Sequence, residues 1–177
     1  LVDATVPLSQ EIAEARIEFE KFANFAEAAE VQSQIVAMGE EFAFTADQAL
    51  IAGARMAQLS DLVGGGEAVG AATRAGVEFG LIGGMETEHA MQRIINLQQQ
   101  TNFLFDGMTQ AQINAMNAED RANAVRQNSV RLLNQLNTVE NRSAATMSQI
   151  TFVMNQFAAQ GHLAGDSITF MASASAT

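Results

Sequence analysis

Catalysis and metal binding need groups that give, take or hold charge, and this sequence places few of them in useful register. Glu86-Thr-Glu-His89 has the Glu-x-x-His spacing that sets a carboxylate and an imidazole on one helical face, the ligand pair that di-iron bundles use twice. The second copy is missing, because the other histidine, His162, has Ala159 where the glutamate would stand. One such pair falls short of the ligand count for two metals. We expect no metal site, a solvated His89 in the first turn of a helix, and His162 in a turn between Gly161 and Leu163. Cysteine is absent, which removes thiolate ligands, Cys nucleophiles and disulfides together and leaves the redox compartment open. A hydroxyl nucleophile needs a base within reach, and no Gly-x-Ser-x-Gly elbow is present. Gly64-Gly-Gly66 precedes a helix as a phosphate cradle would, but lacks the preceding strand and the following Lys-Ser/Thr, so a flexible turn is expected. Glu40-Glu41 and Glu119-Asp120 read as solvated faces. The expectation is no enzyme, with no catalytic, cofactor-binding or metal residues and no cofactor.

The elements behind these residues read as helices. The 177 residues (18.9 kDa) suffice for a domain with its own core. The hydrophobic share is 48% against 16% charged, too apolar for disorder. Pro7 is the single proline, and no run alternates at period two over strand length, so the fold class is all-α. The net charge of −11 argues against gripping nucleic acid and against docking on anionic lipid. No apolar run approaches the ~18 residues that span a bilayer. Leu1 follows no basic n-region, and the Met171–Thr177 end carries no helix stop. Both ends read as cut, as in a piece of a longer polypeptide.

After an irregular lead-in, Ser9 can cap a long, coiled-coil-like helix to about Met38, ended by Gly39, with Ile12, Phe19, Phe22, Ala26 and Ala29 on one face. Thr45-Ala-Asp-Gln48 has the form of a capping box. The helix after it, through Ala49, Leu50, Ala52, Met56 and Leu59, stops before Gly64. Further helices are expected from about Glu67 to Leu81, closed by Gly83-Gly84, and from near Thr87 through Met91, Ile94, Ile95 and Leu97 to Gln98-Gln-Gln100. Phe103-Leu-Phe105 is a compact apolar knot ended by Asp106-Gly107. Thr109-Gln-Ala-Gln112 and Thr146-Met-Ser-Gln149 complete a set of capping boxes, so serial helix–turn–helix units and a plain bundle are both open. Ile150, Val153, Met154 and Phe157 stripe the next helix, Gly161 and Gly165 bracket a turn, and Asp166 or Ser167 starts a last helix with Ile168, Phe170 and Met171. The organisation expected is residues 1–38 as the end of a rod-like region and 39–177 as an Ala/Gly-rich helical domain.

Two patterns bear on partners. Ala52-Gly53-Ala54 and Ala68 through Gly76 put small residues three and four apart, for close helix approach within the chain or between identical chains. Ala115, Ala118, Ala122, Val125, Leu132, Leu136 and Val139 share one heptad frame whose polar slot is Ser129. Asn114, Asn117, Asn123, Gln127, Asn134 and Gln135 around it wet the outer face without charge, and Lys21 is the only lysine, unlike an ordinary exposed coiled coil.

Leu136-Asn-Thr-Val-Glu-Asn-Arg-Ser-Ala-Ala-Thr-Met-Ser-Gln-Ile150, with Phe157-Ala-Ala-Gln-Gly161, Ala164-Gly165 and Met171-Ala172 after it, resembles the conserved helical region of tail tape measure proteins of long-tailed bacteriophages. Phe44-Thr-Ala-Asp-Gln-Ala-Leu50 looks like the family's Thr-x-x-x-Ala helix start, and the likeness runs from about Gly39 to Thr177. It implies a virion structural protein in the lumen of the tail tube, which sets tail length during assembly and is released during DNA ejection. It also implies a homo-oligomer whose partners are the tail tube protein, the tail assembly chaperone and distal tail or baseplate proteins, with host-membrane contact during ejection. Direct nucleic-acid binding is not expected, since an acidic filler repels the DNA behind it. Drawn out as one helix the chain would measure about 265 Å, so a complete ruler must be longer. The alternative is a stand-alone helical oligomerisation or adaptor domain without catalysis.

Overall fold

A helix rich in small and apolar residues can be packed on most of its sides. Residues 66–82 are so packed in the computed structural model, with Glu67, Arg74 and Glu78 along the one side left toward water and Leu81-Ile82 exposed at the end. The structure describes residues 13–15, 17, 21, 25–43 and 46–159. Within them the regular elements are all helical: α1 (Phe25–Glu41), α2 (Ala46–Ala57), α3 (Ser60–Val63), α4 (Gly66–Ile82), α5 (Thr87–Thr101), a 3-10 turn (Phe103–Phe105), α6 (Gln110–Ala115), α7 (Ala118–Arg142) and α8 (Met147–Ala159). The fold is all-α, as expected from the composition.

The hub is α4, which packs against α7, α5, α1, α2 and α3. Its small residues allow that many neighbours. Gly80 meets the Ala90 side chain of α5 at a distance that leaves a Cβ only 3.2 Å from Ala90 Cβ, and Gly76 leaves a notch that Met91 fills. The small-residue faces are therefore used for tight packing within the chain. Thr73, buried in the same helix, returns its hydroxyl proton to the Val69 carbonyl at 2.8 Å, which satisfies a group that would otherwise cost stability. Val31, Ile35 and Met38 of α1 belong to one core with Phe79, Leu104, Leu136 and Met154.

Several boundaries differ from the sequence expectation. The first helix does not end at Gly39 but runs on to Glu41, and the chain turns at Ala43, whose φ is +58°. Gly39 is buried, and its place in the packing outweighs its tendency to stop a helix. The helix expected through Leu59 breaks after Ala57, because the chain bends to bury Leu59 and Val63 completely. The heptad expected from Ala115 is interrupted at Met116-Asn117, and Ala115 and Ala118 are exposed. Asn117 Oδ1 accepts the Asp120 N–H at 2.8 Å and starts α7 afresh. From Ala122 onward the frame is real: Ala122, Val125, Ser129, Leu132 and Leu136 are buried.

The boxes at Thr109–Gln112 and Thr146–Gln149 form as expected, with both reciprocal bonds present in each. The box at Thr45, the Ser9 cap, Phe19, Phe22 and everything expected after Ala159, including His162 and the last helix, lie outside the described residues.

Candidate functional site

Glu86 and His89 sit at the start of α5 with side chains 84% and 73% exposed, and Glu86 Oε2 lies 3.8 Å from His89 Nδ1. The pair faces water with no third ligand, and among the described residues no group of three or more His, Cys, Asp or Glu could hold a metal ion.

The Gly64–Gly66 turn is occupied by protein. Gly64 adopts φ +84° as the C-cap of α3, and its carbonyl accepts from Arg121 Nη1 at 2.9 Å. Arg121 Nε donates to the Ile113 carbonyl at 3.2 Å, so one guanidinium closes the carboxyl ends of α3 and α6, where cations are favoured.

Glu41 is exposed, as expected, yet it is not simply solvated. Arg74 donates to both its oxygens at 2.8 and 2.6 Å and to Glu78 at 3.0 Å. The guanidinium also stacks over the Phe42 ring at 5.2 Å. The hydrogen bonds from Arg74 hold the Glu41 carboxyl below its usual range, and those to Glu41 and then Glu78 raise the Arg74 guanidinium. Glu119 and Asp120 are exposed in the first turn of α7, a placement that suits the helix dipole.

Sequence reasoning missed Arg93. From α5 it donates to the Ser148 carbonyl and, at 2.8 Å, to Thr151 Oγ1 in the first turns of α8. Burial pushes its guanidinium down from the ordinary value, though an arginine remains charged at neutral pH. It missed Gln98 as well, which is buried and accepts the Leu104 N–H at 2.8 Å, while Asn128 Nδ2 donates to the Leu104 carbonyl at 2.8 Å. These two amides hold the Phe103–Phe105 knot. The sequence signal was Gln98 at the end of the stripe of Ile94, Ile95 and Leu97, and nothing local marked Asn128, which lies beside the Ser129 slot.

Two of the clefts among the described residues enclose about 380 Å³ each. One, between α1, α4 and α7, has Ile35, Met38 and Ala71 on its floor and Glu67, Arg74, Glu119 and Arg126 around it. The other, between α2 and the start of α5, is lined by Ile51, Ala52 and Met91 under the Arg55–Glu88 ion pair of 3.0 Å. Neither lining includes a histidine. Arg74, Arg93, Gln98, Arg121 and Asn128 serve helix ends and helix–helix joints. No family model, curated protein or solved structure matches this chain.

Proposed function

We propose that the chain is a virion structural protein, a segment of a tape measure protein of a long-tailed phage that fills the tail tube, sets tail length and leaves during DNA ejection. The observation that carries the reading is the turn between α7 and α8, because the stretch on which the resemblance rests runs through it. Its polar residues are spent on shape. Glu140 Oε1 accepts the Met147 N–H at 2.9 Å, Ser143 Oγ accepts the Ala145 N–H at 3.2 Å, and Thr146 and Gln149 cap α8. A motif whose polar atoms are consumed in this way suits a protein valued for its form. The net charge of −11 favours a filler that does not bind the DNA behind it. The partners that follow are the tail tube protein, the assembly chaperone and distal tail or baseplate proteins. Host-membrane contact during ejection belongs to the same proposal; among the described residues no helix is long and apolar enough to cross a membrane.

Mass spectrometry of purified virions tests the reading together with electron microscopy of particles assembled without the gene. The chain should be found in tails, and its loss should leave tails absent or of irregular length. Tails of unchanged length would overturn the proposal. Serial heptad deletions inside α7 should then shorten tails by roughly 10 Å each if this region is drawn out in the tube.

A further inference from the structure

We propose that the outward face of α7 is a self-association surface that takes α7 of a second copy of this chain, antiparallel, about a two-fold axis at Val130. The proposal does not rest on the tail reading. The buried heptad of α7 is already spent on α4 and the 3-10 turn. On the opposite face Asn123, Gln127, Val130, Asn134, Asn137 and Asn141 follow one another at spacings of four, three, four, three and four. That is the period of a left-handed helix pair. All but the half-buried Asn123 are exposed, and Val130 is 51% accessible at the centre of the stripe.

A helix face meant only for water carries Glu and Lys at such positions. Here the positions hold neutral side-chain amides, each both donor and acceptor, so the stripe is complementary to itself. Amides at seam positions also fix register. The surrounding charge permits the contact. The chain carries −11 overall, whereas α7 has four arginines against three acids, so two copies meet there without the repulsion that the rest of the surface imposes.

Charge also sets the direction. Glu119 and Asp120 are exposed at one end of α7 and Arg142 at the other. A parallel pair would set like charges together at both ends. An antiparallel pair about Val130 brings Glu119 and Asp120 of each copy to the partner's Arg142, sets Gln127 against Asn134 and Asn123 against Asn137, and opposes the helix dipoles. Such an interface is isologous and closes at two copies.

The cysteine-free chain makes the test clean. Sedimentation of the full chain should show a concentration-dependent doubling of mass, and V130E should remain monomeric with unchanged helical circular dichroism. Under oxidation V130C should cross-link to itself, and N123C should cross-link in a mixture with N137C but not alone. R142E should weaken the dimer by about tenfold, and adding E119K and D120K should restore it. A monomer at every concentration overturns the proposal. So does a dimer in which N123C alone cross-links, since that pairing is parallel.

Discussion

Met91 Sδ fills the notch that Gly76 leaves on α4, and a methyl group at residue 76 would run into the sulfur. Met91 is buried at the α4–α5 contact, so to make room its thioether must swing out of that contact toward the cleft it lines with Ile51 and Ala52. Gly76→Ala should therefore destabilise the fold by about 1–2 kcal/mol, as overpacking exceeds the gain in helix propensity. Gly70, in the same helix, is the control: a Cβ there meets only Gln34 Oε1, at 3.4 Å. Gly70→Ala should stabilise by roughly 0.5–1 kcal/mol. Urea denaturation of both variants checks the pair, and equal effects would mean that the notch is not a packing constraint.

Ser129 occupies a core slot of α7 at 4% exposure, and its hydroxyl has no hydrogen-bond partner. Ser129→Ala removes the unpaired group with little change in volume and should raise stability by about 1 kcal/mol. A loss of stability by thermal or chemical denaturation would show that the hydroxyl is paired in solution.

Arg121 is the shared clamp of two helix ends. Arg121→Met removes the donor held by the Gly64 carbonyl and leaves the Ile113 carbonyl with the Met116 N–H alone, a cost of about 1–3 kcal/mol. Arg121→Lys should recover only part of it, since an ammonium cannot reproduce the guanidinium fork. Hydrogen exchange should rise at the ends of α3 and α6 before it rises in α4; uniform exchange across the chain would argue against a local clamp.

The elements differ in how far the sequence announced them, for physical reasons. A capping box is local chemistry, and Thr109–Gln112 and Thr146–Gln149 were legible because donor and acceptor lie three residues apart. The break after Ala57 was not, since it follows from burying Leu59 and Val63 against distant helices. Arg121 reaches a carbonyl 57 residues away and Arg93 a hydroxyl 58 residues away. Such pairings exist only after folding. The clefts are likewise products of how helices meet, and no local pattern foretold their linings. His89 was legible as a solvated residue because one carboxylate at helical spacing offers no further ligands.

The Arg74–Glu41 contact ties the end of α1 to α4, and its pH dependence has a definite sign. Glu41 is an acid whose folded pKa lies below its ordinary 4.5 because Arg74 donates to it. Its contribution is therefore present above pH 4.5 and is lost as the pH falls through the depressed folded value. Arg74, raised by the same bonds, is charged throughout that range in both states, so it adds no pH dependence of its own. The carboxylate is exposed, which keeps the contribution small and sensitive to salt. Arg74→Gln should lower stability near neutral pH, and the gap from the parent chain should narrow steadily below pH 4.5. Raising the ionic strength at neutral pH should narrow it too. A gap that stays constant with pH would mean that Arg74 acts through its stacking on Phe42 instead of through Glu41.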